Sequence, residues 1–210
     1  MLPLDSGVVA LASAAALALP TGAIETVAPA HASGVVVHAA PGGRAVVRLR
    51  PRTPYGGPQR LWVRERRGAW LKVAVADGGT GWVRASATRP AATLRRWIEI
   101  DRSRKRLTVR GAKRWSTRVV IGGTRTPTPS GTFQVTDRID GARFGGVYGA
   151  RVLVLSAYGD RTRTSRVAIH GVPPAAKSKR FSAGCVRVPS GALERLYREA
   201  PPGTPVRIVS

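Results

Sequence analysis

Cysteine, histidine and acid are what this sequence has least of. Its 210 residues include one cysteine, three histidines, and 11 Asp or Glu against 35 Lys or Arg. A lone cysteine cannot form an intramolecular disulfide, which excludes a disulfide-stapled scaffold. With only three histidines beside it, it cannot build a zinc ribbon or a Cys/His metal cluster either. No Gly-x-x-x-x-Gly-Lys-Ser/Thr occurs, and no Gly-x-Gly-x-x-Gly sits between a strand and a helix, so P-loop and dinucleotide-binding readings have no support. The shortage of acid leaves a formal net charge of +24. Thirty of the basic residues are arginines, spread along the chain with knots at Arg64-Glu65-Arg66-Arg67 and Arg102-Ser103-Arg104-Lys105-Arg106. Such a field draws polyanions of any kind and also keeps a protein soluble. No basic helix and no interleaved basic and aromatic stretch accompanies it, so specific nucleic-acid recognition is not indicated. The 43% apolar content is that of a globular chain, which excludes wholesale disorder.

The chain begins with an address. Gly7 to Leu19 (GVVALASAAALAL) is apolar but too short for an ordinary membrane-spanning helix, and Pro20 and Gly22 break it. This pattern resembles the apolar region of a signal peptide, and Ala30-His31-Ala32 before Ser33 offers a small-x-small cleavage site. Residues 1–32 are therefore expected to be a signal peptide or membrane anchor, although Met1 to Ser6 carry Asp5 and no Lys or Arg. Export follows from this reading.

Downstream the chain reads as two β-rich units. Across 33–90, segments at Gly34 to Val37, Ala45 to Leu49, Leu61 to Arg64, Trp70 to Val75 and Gly81 to Arg84 alternate with Gly/Pro clusters, which predicts a small β-barrel. Gly68-Ala69-Trp70-Leu71-Lys72-Val73, followed by Gly79-Thr80-Gly81-Trp82-Val83, resembles a bacterial SH3-like module. Arg89 to Leu94 reads as a short linker. The second unit, 91–210, has strand patterns at Trp97 to Asp101, Leu107 to Val109, Arg118 to Ile121, Gly131 to Val135, Arg151 to Leu155, Val167 to Ile169 and Val206 to Val209. Only Ser190 to Ala200 reads as a helix, with Leu193, Leu196 and Tyr197 on one face, Ser190 near its N-cap and Pro201-Pro202-Gly203 as its stop.

One stretch carries chemistry. His170-Gly171 precedes Ser182-Ala183-Gly184-Cys185-Val186-Arg187, which contains the only cysteine; His170 is the only histidine beyond the first 40 residues. A thiol must lose its proton to become a nucleophile, and imidazole is the side chain best suited to take it. Gly184 permits close backbone approach beside Cys185. If 185–188 is extended, Cys185 and Arg187 share one face and Val186 and Val188 the other. A nucleophile and a cation on one face suit an acyl substrate that bears a carboxylate. Taken singly, a lone cysteine is commonly a small buried hydrophobe and a lone histidine a packing residue. Together in an exported chain they favour catalysis.

At these residues the sequence resembles the L,D-transpeptidases of bacterial peptidoglycan, whose catalytic domain carries His-Gly, a variable gap and Ser-x-Gly-Cys-Ile/Val-Arg. Ile121-Gly122-Gly123 with Thr126-Pro127-Thr128-Pro129-Ser130-Gly131-Thr132-Phe133-Gln134-Val135 resembles the family's upstream hairpin, and Ser156-Ala157-Tyr158 and Gly203-Thr204-Pro205-Val206 also match it. The likeness covers roughly Arg96 to Ser210, and an SH3-like module ahead of the catalytic domain is similar to exported actinobacterial members. The resemblance implies a mainly β fold, Cys185 as nucleophile, His170 as its base and the Gly171 carbonyl orienting the imidazole. It further implies backbone N–H groups of Gly184 and Cys185 as oxyanion donors, with Arg187, Ser182 and Tyr158 meeting substrate. The implied reaction is formation of a 3→3 cross-link through a cysteinyl thioester with release of a terminal D-Ala. No cofactor and no metal are called for. The implied partners are peptidoglycan stem peptides, a donor tetrapeptide and an amine acceptor, with anionic wall polymers in addition, and carbapenems are expected to acylate the thiol. Ala183 stands where many members have His, and Val188 where Met, Leu or Asn is common; neither touches the Cys/His pair. Alternatives that share the first half-reaction are an L,D-carboxypeptidase and protein-to-wall anchoring. A basic wall-binding protein with a vestigial site is the non-enzymatic alternative.

Overall fold

Alternating apolar and polar residues with frequent Gly/Pro breaks dictate short strands, and strands dominate. The computed structural model describes residues 22–159, 165–172 and 180–210. The first sheet contains β1 (Ile24–Pro29), β2 (Val35–His38), β3 (Ala45–Leu49), β4 (Leu61–Arg67), β5 (Trp70–Ala74), β6 (Thr80–Arg84) and β7 (Thr88–Leu94), in the order β3-β2-β6-β5-β4-β1-β7. All its pairings are antiparallel. Its core is almost entirely Val and Leu: Val27, Val35, Val37, Leu61, Leu71, Val73, Val75 and Val83.

Two expected boundaries are corrected. The segment Ile24–Pro29, assigned above to the leader, is a strand held between β4 and β7, with Ile24, Val27 and Ala28 each 2% exposed. Cleavage after Ala32 would remove it from the middle of a hydrogen-bonded ladder, so the folded unit starts before residue 33. The apolar run Gly7 to Leu19 lies outside the described residues. The expected linker Arg89 to Leu94 is part of β7, paired from Ile24↔Leu94 to Pro29↔Thr88. Pro90 is accommodated because β7 ends the sheet, where a missing N–H need not break a ladder. The second unit therefore begins at about Arg95, not at residue 91.

The second sheet contains β8 (Arg96–Asp101), β9 (Arg106–Gly111), β10 (Trp115–Arg118), β11 (Gly131–Asp140), β12 (Arg151–Tyr158), β13 (Arg166–His170), β14 (Val186–Arg187) and β15 (Pro205–Val209), in the order β10-β9-β8-β15-β11-β12-β13-β14. The pairs β15–β8 and β13–β14 are parallel and the rest antiparallel. The strand expected at Arg118 to Ile121 is displaced: β10 ends at Arg118, and Val120 instead forms an isolated bridge to Arg187. The helix α1 (Ser190–Glu199) has Pro189, not Ser190, at its N-cap and no side-chain cap. It buries Leu193 and Leu196, each worth about 1.5–3 kcal/mol. At its end Glu199 accepts from the Trp115 Nε1–H at 2.8 Å and pairs with Arg96 and Arg195, tying helix to sheet.

Alternation along β12 to β14 divides the side chains between two faces. Leu153, Leu155, Val167, Ile169, Val186 and Val188 join the helix side in the main core. On the other face Val152, Val154 and Ala168 form a smaller cluster with Ile139, against which Cys185, Phe144, Tyr148 and Tyr55 pack. Tyr55 belongs to the first unit, and the two units are joined by further buried contacts. The Trp62 N–H donates to Gln134 Oε1 at 3.1 Å, Gln134 Nε2 donates to the Arg60 carbonyl at 3.0 Å, and Thr53 Oγ1 donates to Asp137 Oδ1 at 2.5 Å.

Candidate active site

The register of β13 and β14 brings the two chemically competent residues to one face. The pairs Ile169↔Val186 and His170↔Arg187 run parallel, so Cys185, just before β14, lies level with Ala168, one alternate position from His170. His170 and Arg187 share a face as Cα partners, and Cys185 shares it by the two-residue period of extended chain.

His170 is 4% exposed, and its Nδ1 lies 2.7 Å from the Gly171 carbonyl oxygen. A carbonyl only accepts, so Nδ1 carries the hydrogen and Nε2 is left with a lone pair. Tyr148 and the imidazole meet edge to face with ring centroids 5.0 Å apart and planes at 82°, and Phe144 and Tyr148 pair in the same way at 5.5 Å. The Gly171 N–H donates to the Tyr148 carbonyl at 2.9 Å, so the 141–150 connection clamps both ring and backbone of the His-Gly pair. Burial pulls the His170 pKa down to about 4, with the Arg187 charge adding to the effect and hydrogen bonding to Gly171 opposing it. Burial pushes the Cys185 thiol up, against the opposing pull of the Ala168 backbone N–H and the Arg187 charge. At neutral pH both groups rest uncharged: a thiol on the same face as an imidazole free to accept.

The turn that carries the cysteine is held from below. Gly184 sits at φ +109°, a conformation an L side chain would strain. The Ser182 hydroxyl donates to the Cys185 carbonyl and accepts from the Gly184 N–H at 3.2 Å, while the Ser182 N–H donates to the Ile121 carbonyl at 2.8 Å. Thr128, 1% exposed, donates from Oγ1 to the Gly184 carbonyl at 2.8 Å and accepts from the Gly122 N–H at 2.9 Å. Gly122 is forced: a Cβ there would fall 2.0 Å from the Thr126 carbonyl oxygen and 3.0 Å from the Gly184 Cα.

Three expected roles change in this geometry. Ser182 is 7% exposed with its hydroxyl committed on both sides, so it braces the turn and is not presented to a substrate. The Gly184 N–H is taken by Ser182, which leaves Cys185 as the remaining backbone donor of the two expected. Tyr158 is at the far end of β12, opposite Arg166, whose guanidinium lies 4.1 Å from its ring centre, and is not grouped with the thiol. Arg187 lies level with His170, its main chain bridges Val120 in both directions, and its Nη1 donates to the Phe181 carbonyl at 3.5 Å. Thr128, Tyr148 and the half-exposed Phe181, against which Gly123 packs, were not singled out as site residues. The Thr-Pro-Thr-Pro motif was the available signal for Thr128; Tyr148 had none.

A protein-family model described as the L,D-transpeptidase catalytic domain (YkuD) matches residues 95–208, more than half of the chain. The chain belongs to this family. The match covers His170, Cys185 and Arg187 and starts where the fold places the second unit. Among solved structures, L,D-transpeptidase 3 from Mycobacterium tuberculosis is 15% identical over 72% of this chain and 74% of that one, with a TM-score of 0.47. An L,D-transpeptidase from Mycobacterium smegmatis is 14% identical over 89% and 99% with a TM-score of 0.46. Bd1075 from Bdellovibrio bacteriovorus is 24% identical over 55% of this chain and 48% of its own, with a TM-score of 0.45, so the chain spans about half the length of that protein. No curated protein matches the chain.

Proposed function

We propose that this L,D-transpeptidase forms 3→3 cross-links in peptidoglycan through a thioester on Cys185. The reading is carried by one observation: within the matched domain, the only cysteine shares a face with a histidine whose Nδ1–H is committed to the Gly171 carbonyl, which leaves Nε2 for the thiol proton. In the first half-reaction the Cys185 proton passes to His170 Nε2 as sulfur bonds to the carbonyl carbon of the third, diamino-acid residue of a donor tetrapeptide. The bond to the terminal D-Ala nitrogen then breaks, and His170 returns the proton to that nitrogen. In the second, an amine on a neighbouring stem attacks the thioester, its proton goes to His170, and the thiolate leaves and is reprotonated. In this reading the Cys185 N–H serves as oxyanion donor, and the half-buried Arg187 guanidinium, on the same face as Cys185, meets a substrate carboxylate.

Neutral resting groups fit this chemistry. Charge forms only as the proton moves, so the buried face does not carry a standing ion pair. An exported location at the wall, by way of the N-terminal segment, follows from the substrate, and an SH3-like first unit would hold the catalytic face against the polymer. The test is intact-protein mass spectrometry after incubation with a carbapenem, with Cys185→Ala alongside, followed by chromatography of muropeptides from a disaccharide-tetrapeptide donor. One drug adduct absent from the variant, and a cross-linked dimer lacking one D-Ala, are expected. Adduct without dimer, but with free tripeptide, would replace transpeptidation by L,D-carboxypeptidase activity. No adduct on a folded protein would leave a wall-binding protein with a vestigial site.

A further inference from the structure

A cavity of about 1010 Å³ lies between the two units, lined from the first by the 47–56 segment and from the second by β11, β12 and β13. It is as large as the upper end of ordinary ligand sites, roughly 300–1,000 Å³, and so has room for a short oligomer. Its walls are unequally charged. Arg48, Arg50, Arg52 and Arg166 line it, and the one acid among the described lining residues, Asp137, is 2% exposed with Oδ1 accepting from Thr53. The accessible wall is therefore cationic, and a concave low-dielectric wall concentrates such a field.

Two of the cations are already oriented. Arg166 donates from Nη1 to the Ser156 carbonyl at 2.9 Å and lies over the Tyr158 ring, and Arg52 donates to the Gly56 carbonyl at 2.8 Å. Each fork retains N–H donors for an anion, and pre-orientation lowers the entropy lost on binding. Tyr55 and Tyr158 add aromatic faces to the same wall. Tyr55 also continues the cavity toward the thiol: it packs in the cluster that holds Cys185, and its hydroxyl is raised by burial within the field of Arg166, Asp137, Tyr148 and Tyr158.

We propose that this inter-unit cavity binds an anionic oligosaccharide, its acidic groups held by Arg50, Arg52 and Arg166 and its sugar rings set against Tyr55 and Tyr158. The choice of a saccharide rests on the peptidoglycan reading of the thiol site; the anion preference rests on the cavity itself. The site lies beside the catalytic face and is separate from it, so that a glycan could be gripped there while its peptide reaches Cys185.

The experiment is calorimetric titration of the full chain at 0.15 M salt, about the physiological range where surface charge attraction is screened. The probes are hexagalacturonate, phosphorylated maltohexaose, neutral maltohexaose and hexaglutamate. Binding of either acidic sugar, weakened about tenfold or more in Arg50→Gln/Arg52→Gln, is expected. The same affinity is expected in Cys185→Ala and in Lys113→Gln/Arg114→Gln, which removes two exposed charges on the β9–β10 turn. Which acidic sugar binds distinguishes a carboxylated from a phosphorylated source. Hexaglutamate binding as well as the sugars would overturn the saccharide and favour an acidic peptide. Equal weakening by the β9–β10 variant would reduce the effect to net charge, and absence of binding would overturn the site. None of these readouts uses the thiol, so a failure here is distinct from a failure of the carbapenem test.

Discussion

Replacing Thr128 by Val should uncouple the cysteine turn from the hairpin beneath it while leaving the shape of the side chain nearly unchanged. The hydroxyl is the common partner of the Gly184 carbonyl at 2.8 Å and the Gly122 N–H at 2.9 Å, at a residue 1% exposed. Valine strands both groups out of reach of water. An unpaired buried backbone group costs about 1–3 kcal/mol, so the pair sets a range of about 2–6 kcal/mol, and relaxation of the turn brings the expected loss to about 3 kcal/mol. For a chain of this length that is a Tm decrease of roughly 6–12 °C. The turn relaxes by moving Gly184, the residue before Cys185, and with Cys185 as the proposed nucleophile a displacement of about 1 Å there can cost on the order of 100-fold in rate. Urea unfolding would read the first effect and the rate of carbapenem acylation at saturating drug the second. Thr128→Ser keeps the hydroxyl and should recover most of both. The reasoning fails if the valine variant lies within about 0.5 kcal/mol of the parent with unchanged acylation, or if serine is as damaging as valine.

The pH dependence should expose the resting charge state. With His170 at about 4, the imidazole is neutral and able to accept a proton across the neutral range, so acylation should fall only as pH approaches 4; a midpoint near 6.5 would contradict the buried site. With the thiol raised, alkylation by iodoacetamide should keep climbing beyond pH 9, and a plateau near neutrality would reveal a preformed thiolate. Tyr148→Leu removes an edge contact worth about 0.5–1.5 kcal/mol and admits water to the imidazole, so the acid midpoint should move up toward 6.5, whereas Tyr148→Phe should leave it in place; equal midpoints in all three proteins would deny Tyr148 its positioning role. Asp137 has a folded pKa raised by burial, so its contribution to stability is greatest below the unfolded value near 3.8 and is lost as pH rises through the folded one. Asp137→Asn should therefore match or exceed the parent Tm at pH 7 and lose that advantage at pH 3; a lower Tm at pH 7 would show that the ionised form is required by Thr53.

The strand pattern and the shared face of Cys185 and Arg187 were legible because each is a local property. Ala45 to Leu49 matches β3 to the residue, and extended chain at 185–188 was enough to separate Cys185 and Arg187 from Val186 and Val188. What could not be read was set by distant partners. Ile24 to Pro29 follows a small-residue apolar run and blends into it in sequence, and only the ladder with β7 makes it a strand. Pro90 argues locally for a linker, and its place on the outermost strand removes the objection. Ser182 illustrates the same limit within the site. A hydroxyl beside a flexible glycine looks available for substrate until Gly184, at φ +109°, turns its own N–H back onto that oxygen.

That closure of the Ser182–Cys185 turn has a chemical consequence. An oxyanion site needs at least one donor aimed outward and fixed before the charge develops, because a donor that must first break another bond returns much of its value. Gly184 cannot serve without releasing Ser182, whereas Cys185 N–H follows the turn and carries no such debt to Ser182, whose hydroxyl is donated to the Cys185 carbonyl instead. Ser182 and Thr128 thus fix the two carbonyls flanking this N–H, those of Gly184 and Cys185, and so set the plane in which it points. The same constraint explains why glycine is needed twice: at 184 for the backbone angle, and at 122 because any side chain there would push Gly184, and with it the donor, out of position.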